Sequence, residues 1–188
     1  MIINIVDPAL FNDPIARSTN WEPCNMLGAN FCSEKLVRIE PNIMEFRSAN
    51  GLLAMYSGCI VLGAAILIIS KISSIEALLF GLAFILLGAG LILFTSRHAA
   101  FDKTTSSLYK KRRKAGQAPD DLNKIYAIQL IAKIIGGRKR YVCCELNLVL
   151  KNAERIHIIS HGNIKRMRAD AQTLSEFLAI PVWDAVES

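Results

Sequence analysis

Ser48 to Ser70 reads SANGLLAMYSGCIVLGAAILIIS, 23 residues without a charge, and Ala77 to Ser96 reads ALLFGLAFILLGAGLILFTS, 20 more. An α-helix rises about 1.5 Å per residue, so about 20 apolar residues cross a hydrocarbon core of about 30 Å. Each run is long enough to span a bilayer and too long for an ordinary core helix. The break Lys71-Ile72-Ser73-Ser74-Ile75-Glu76 has room for one tight turn. The pair reads as a transmembrane helical hairpin, with spans at 48–70 and 77–96.

The residues around the hairpin set its orientation. Met1 to Leu10 holds no basic residue and carries Asp7, unlike a cleavable signal peptide, so the first span is expected to stay in the mature protein. Lys71 is the one cation between the spans, whereas four precede them and seventeen follow. Positive charge gathers on the cytoplasmic side, which places both termini in the cytoplasm and the short loop outside. Residues 1–47 hold four basic and six acidic residues, against seventeen and nine in 97–188. The densest cluster, Lys110, Lys111, Arg112, Arg113 and Lys114, is a membrane-proximal basic patch suited to anionic headgroups. No aromatic residues interleave with it and no recognition motif accompanies it, which argues against a nucleic-acid partner.

The spans themselves are chemically quiet. No ionisable residue stands mid-membrane, where ion and proton pathways need one, so they read as an anchor. Small residues let helices approach closely, and Gly58, Gly81 and Gly88 are expected to line the seam.

The flanking segments read as β-structure. Lys35–Glu40 and Ile43–Arg47 meet at Pro41-Asn42, which is turn chemistry. Ala99–Phe101 and Leu108–Tyr109 flank a polar turn, and Ile125–Ile131 forms a further strand. In Tyr141–Leu150, Val142, Cys144, Leu146, Leu148 and Leu150 alternate with Cys143, Glu145, Asn147 and Val149. Arg155–Ser160 adds another strand. Ser160 to Asn163 then supplies cap residues for a helix over 163–179, which Pro181 stops. Its stripe Ile164, Met167, Ala171, Leu174 and Leu178 is expected to form a structural lid. Both ends of a hairpin emerge on one side, so the strands of 33–47 can join those of 97–188. The expected fold is an α+β membrane protein. Its two-helix hairpin is inserted in a pleckstrin-homology-like antiparallel barrel or sheet that the C-terminal helix closes. Residues 1–32 have no assignable fold.

Phe101-Asp102-Lys103 after the second span and Ala171 to Pro181 (AQTLSEFLAIP) carry a resemblance. So do Cys144 to Ile156 and Ser160 to Ala171. In these patches the chain resembles uncharacterised proteobacterial two-span membrane proteins with a pleckstrin-homology-like domain. It is more loosely similar to the plastid-encoded two-span photosystem I assembly factor. The resemblance implies architecture and a scaffold or assembly role, and it transfers no substrate.

No motif adds chemistry. Cys24, Cys32, Cys59, Cys143 and Cys144 contain no C-x-x-C pair, and vicinal strand cysteines point to opposite faces. His157 and His161 are four apart but straddle cap-type residues. Ser160-His161-Gly162 lacks the G-x-S-x-G pattern, and Gly136-Gly137 lacks a phosphate-loop context. Trp183, beside Pro181, is expected to pack on the sheet, with an interfacial anchor as the alternative. No catalytic, cofactor-binding or metal residue is therefore assigned. The expected function is a non-enzymatic interaction module in the bacterial inner membrane. Its partners are the lipid bilayer and a protein, in an assembly role or as immunity against a membrane-active toxin, with self-association a further option. The alternative is a lipid-headgroup-binding or lipid-handling protein or enzyme.

Overall fold

A computed structural model describes residues 7–70, 74–95, 99–110, 120–136 and 140–186. The chain divides into two compact bodies, Arg47–His98 and the remainder, Met1–Phe46 with Ala99–Ser188. In chain order the elements are α1 (Pro14–Ser18), β1 (Glu34–Glu40), β2 (Ile43–Ser48), α2 (Asn50–Ser70) and α3 (Ile75–Thr95). There follow β3 (Ala100–Asp102), β4 (Ser107–Tyr109), β5 (Asp120–Asp121), β6 (Ile125–Ile135) and β7 (Tyr141–Leu150). The last are β8 (Arg155–His161), α4 (Ile164–Leu178) and β9 (Val182–Ala185).

The smaller body is the antiparallel pair α2 and α3, both long and apolar enough to cross a membrane. Most of their side chains are not buried within the protein: Ile68, Ile69, Leu86 and Leu93 are each at least 70% exposed. Core helices of a water-soluble domain do not present such a surface. Gly81 and Gly88 line the seam as expected, while Gly63 takes the place expected for Gly58. A Cβ on Gly63 would come within 2.5 Å of the Gly81 carbonyl oxygen, and one on Gly88 within 2.7 Å of the Tyr56 carbonyl, whereas Gly58 faces open space. Tyr56, Ile60, Gly63 and Leu67 recur at helical spacing and share the contact face, while Gly58, two residues past Tyr56, lies off it.

The larger body is α+β, as expected, and among the described residues its strands do not close into one barrel. Its strands form two sheets, ordered β1-β2-β3-β4-β5 and β8-β7-β6-β9. In the first, β2 pairs antiparallel with β3 (Met44 opposite Phe101), although 49 to 99 intervene in sequence. The Phe46 amide also donates to the Ala99 carbonyl at 2.9 Å. In the second, β6, β7 and β8 are antiparallel while β9 runs parallel to β6 (Gln129 opposite Trp183). A parallel neighbour needs a crossover, and α4 supplies it between β8 and β9. β9 thus takes an edge that an antiparallel barrel would have closed.

The two sheets and α4 share one core. Met44, Phe46, Phe101 and Leu108 meet Ile128, Leu130, Leu146 and Leu148 there. Of the lid stripe, Met167, Ala171 and Leu174 are buried in this core, and Ile164 and Leu178 are half-buried against it. Phe177 and Asp170 are buried on the same helix, the latter accepting the Leu36 amide at 3.1 Å and pairing with Arg166 at 3.0 Å. Asn163 caps α4 at its start, and Ala179 ends it in the left-handed region.

Candidate functional site

The face of the second sheet turned away from that core carries Gln129 and Lys133 on β6, Glu145 and Asn147 on β7, and Arg155, His157 and Ser160 on β8. Alternation alone would make this row the solvent face. Instead residues 7–33 lie across it, and Gln129, Lys133, Glu145 and Asn147 are all less than 5% exposed.

A bulge brings two of these side chains together. The β7–β8 register slips between Leu146 and Asn147, so His157 lies opposite Asn147 while Ile159 lies opposite Leu146. Residues three apart in a regular strand point to opposite faces; the extra residue puts His157 and Ser160 on one. His157 Nε2 and Ser160 Oγ are 2.8 Å apart.

Lys133 lies beneath them. Its ammonium donates to the Asn25 carbonyl (2.7 Å), Glu145 Oε2 (2.8 Å) and Ser160 Oγ (3.0 Å). Three protons meet three acceptors, so the cation is fully satisfied. The other Glu145 oxygen accepts the Cys24 amide at 2.8 Å. Burial alone would push the Glu145 carboxyl up, but hydrogen bonds from Lys133, the Cys24 amide and Asn147 outweigh it and hold the carboxyl below its ordinary value. Burial pushes His157 down, with Glu145 opposing and Lys133 reinforcing, which leaves a neutral ring. Ser160 accepts from an ammonium that only donates, so its own proton goes to His157 Nε2. The imidazole proton then sits on Nδ1, and Asn25 Nδ2 is a second donor toward Nε2 at 3.3 Å.

The rest of the row serves the same covering segment. Gln129 Nε2 donates to the Asn20 carbonyl, and Arg155 Nη1 donates to the Glu22 carbonyl (2.7 Å) and to Gln129 Oε1 (3.2 Å). Beyond them Phe11 stacks on Trp21 at 5.0 Å, and both approach Trp183. Asp13 caps α1 and accepts from the Tyr126 hydroxyl at 2.9 Å. Trp183 thus packs on the sheet, from within a strand of it.

Chemically, the Ser160–His157 contact has the reach of a nucleophile and base. Its setting is otherwise. The saturated Lys133 ammonium has no lone pair to act as a base. Among the described residues no carboxylate holds His157 Nδ1, the bond that orients the base in hydrolytic triads. A cleft of about 380 Å³ borders the cluster, lined by Asn25, Leu27, Gly28, Glu34, His157 and Ser160 among others.

His161 points to the opposite face from Ser160, so it does not join His157. It is fully buried; Nδ1 accepts the Asn163 amide at 3.2 Å and Nε2 has no partner among the described residues. Among the described residues no three His, Cys, Asp or Glu side chains are grouped to hold a metal ion. Burial pushes the Cys24 thiol up to about 11 and Cys144 up to about 12, so both are poor nucleophiles at neutral pH. Of the basic patch, Lys110 pairs with Asp120 at 2.8 Å, and Lys111, Arg112, Arg113 and Lys114 lie outside the described residues. Sequence reasoning missed the buried ion pair; opposite charges on neighbouring strands of a row with Gln129 and Asn147 were its one signal. No protein-family model matches the chain, and no curated protein sequence matches it.

Proposed function

We propose that this chain is a non-enzymatic membrane-anchored interaction protein, with a pleckstrin-homology-like domain on the cytoplasmic side of a bacterial inner membrane. The pairing of β2 with β3 carries this reading: the two apolar helices are inserted between adjacent strands of one sheet. Both span ends therefore run directly into the domain, which suits a module whose work is to be held at a bilayer. The polar cluster supports binding over catalysis, because Lys133, Glu145, Gln129 and Arg155 are spent on fastening residues 20–25 to the sheet. The partner is a protein, in an assembly complex or as a membrane-active toxin to be neutralised.

Two measurements on the full-length protein test it. With Cys24, Cys32 and Cys59 replaced by serine, Ser74→Cys should react with an impermeant thiol reagent from the outer side of intact cells. Thr104→Cys, exposed in the β3–β4 turn, should react only after lysis. The reverse pattern overturns the orientation. Labelling by a fluorophosphonate probe that is lost in Ser160→Ala would overturn the non-enzymatic reading.

A further inference from the structure

Residues 22–28 form a strap over the polar row, and none of them is itself buried. The strap is tied at both ends. Trp21 stacks on Phe11 and donates to the Ala16 carbonyl at 2.9 Å, and Ala29 bridges to His161. Between these points the sheet holds its backbone by hydrogen bonds. Arg155, Lys133 and Tyr141 donate to the carbonyls of Glu22, Asn25 and Gly28, and Glu145 accepts the Cys24 amide. A segment with little buried surface and mainly polar ties opens locally before the body it covers.

One of its contacts depends on a proton. His157 Nε2 faces two donors, the Ser160 hydroxyl at 2.8 Å and Asn25 Nδ2 at 3.3 Å. Such an arrangement needs a lone pair on the ring nitrogen, and a protonated imidazole has none. Ser160 can adapt, because its hydroxyl rotates and its oxygen keeps a lone pair beyond the one that Lys133 uses. Asn25 cannot. Turning its amide over would set Nδ2 against the Leu27 amide, which Oδ1 accepts at 2.5 Å.

Charged groups reach His157 from three other strands. Glu145 on β7 and Glu34 on β1 favour the cation, while Lys133 on β6 opposes it. Arg155, on the same face of β8, is engaged by Glu22 and Gln129. Lys110, just after β4, borders the same cleft and pairs with Asp120. Burial of the ring outweighs the two carboxylates, so the closed strap favours neutral imidazole.

We infer that His157 is the latch of a proton-operated strap: its protonation in mild acid expels Asn25 and lifts residues 22–28, uncovering Gln129, Lys133, Glu145 and Asn147. The open form returns the ring to water, where it binds a proton at its ordinary value, so falling pH favours opening. The polar sheet face is then covered at neutral pH and presented in acid. Neither the latch nor its readout depends on which partner the domain takes.

Cys143 reports the opening. It is fully buried on the strap side, where a Cβ on Gly28 would collide with its sulfur, while Cys144 is fully buried in the core on the opposite face. Two full-length proteins in detergent would each keep one of this pair, by Cys144→Ala or Cys143→Ala, with Cys24, Cys32 and Cys59 replaced by serine. Their reaction with dithiodipyridine, normalised to that of free glutathione, would be followed between about pH 7.5 and about pH 5.5. The Cys143 rate should rise as the pH falls, by no more than about tenfold per pH unit for one proton, and the Cys144 rate should not. A flat Cys143 rate overturns the latch. So does a parallel rise at Cys144, which means that the whole domain is opening.

His157→Gln, whose amide oxygen accepts without titrating, should abolish the acid rise; a rise that survives it overturns the role of His157. If that variant leaves Cys143 reactive at both ends of the range, Asn25→Asp decides. Its carboxylate still accepts the Leu27 amide and pairs with the imidazolium, so acid should slow the Cys143 reaction. Acid acceleration in Asn25→Asp would overturn the latch.

Discussion

Lys133 donates to Glu145 across 2.8 Å, and their side chains are 1% and 0% exposed. Two charges so enclosed are tolerated because the other two ammonium protons go to the Asn25 carbonyl and Ser160, and the second carboxylate oxygen accepts the Cys24 amide. Two of those three partners belong to the N-terminal segment. The pair therefore works as a clasp: it is complete only when residues 20–28 are laid on the sheet.

Removing one partner leaves the other charge buried and unpaired, which costs about 3–5 kcal/mol. Lys133→Met and Glu145→Leu should each lower the thermal midpoint of the full-length protein in detergent. The double variant should be less damaged than either single, because no orphan charge remains. In both singles, limited proteolysis should cut between Asn12 and Phe31 before it cuts the sheet. Equal damage in the double variant would mean that the geometry, not the charge balance, holds the segment.

Acid should loosen the domain in a definite window. Burial pushes both His157 and His161 below the ordinary histidine value of 6.5; Glu145 partly opposes this at His157 and Glu34 at His161. Below 6.5 the unfolded chain binds protons that the folded chain refuses. Stability is thus full above that value and declines as pH falls from it toward the folded values. Glu145, held low, adds stability above the ordinary carboxylate range that is lost only in stronger acid, and Asp170, raised by burial, works against it there. The thermal midpoint should therefore fall between about pH 7 and pH 5.5, in the range where histidine titrates. His161→Phe, which removes the buried imidazole, should flatten that fall. An unchanged slope would assign it elsewhere.

The seam of the apolar pair gives a sharper contrast. Gly63→Leu drives a side chain into the Gly81 carbonyl and Ile85, whereas Gly58→Leu meets open space. Helix association in lipid depends on such close backbone approach. Gly63→Leu should widen the distance between spin labels placed on α2 and α3, and Gly58→Leu should leave it unchanged. If both behave alike, the contact face is not the one containing Tyr56, Gly63 and Leu67.

Much of the fold was legible because its signals are local. The two apolar runs, the Pro41-Asn42 turn, the alternation of Tyr141–Leu150 and the Asn163 cap each belong to a few consecutive residues. Three features were not legible. β9 is four residues long and follows Pro181, so it reads as a tail; only the crossover of α4 makes it a strand. The bulge that unites His157 with Ser160 is a property of pairing and leaves no trace in β8 alone. The row of Lys133, Glu145 and Asn147 reads as a wetted face because its cover, residues 7–33, has no periodicity. Aromatic stacking and backbone carbonyls hold that cover in place.

The last prediction concerns how α4 is held. Leu174 is fully buried among both sheets, and Ile164, on the same stripe, is only half-buried. A Leu→Ala change in a closed core costs about 2–5 kcal/mol, and less where neighbours or water can fill the space. Leu174→Ala should therefore lower the amount of folded, membrane-resident protein much more than Ile164→Ala does. Phe177→Ala removes more volume, and it also removes the ring that faces Lys103 at 5.2 Å and Arg38 at 5.9 Å, so its effect should match or exceed that of Leu174→Ala. Circular dichroism of the purified variants checks the order. If Ile164→Ala proves the most damaging, the N-terminal end of the helix, rather than its buried middle, anchors α4 to the sheets.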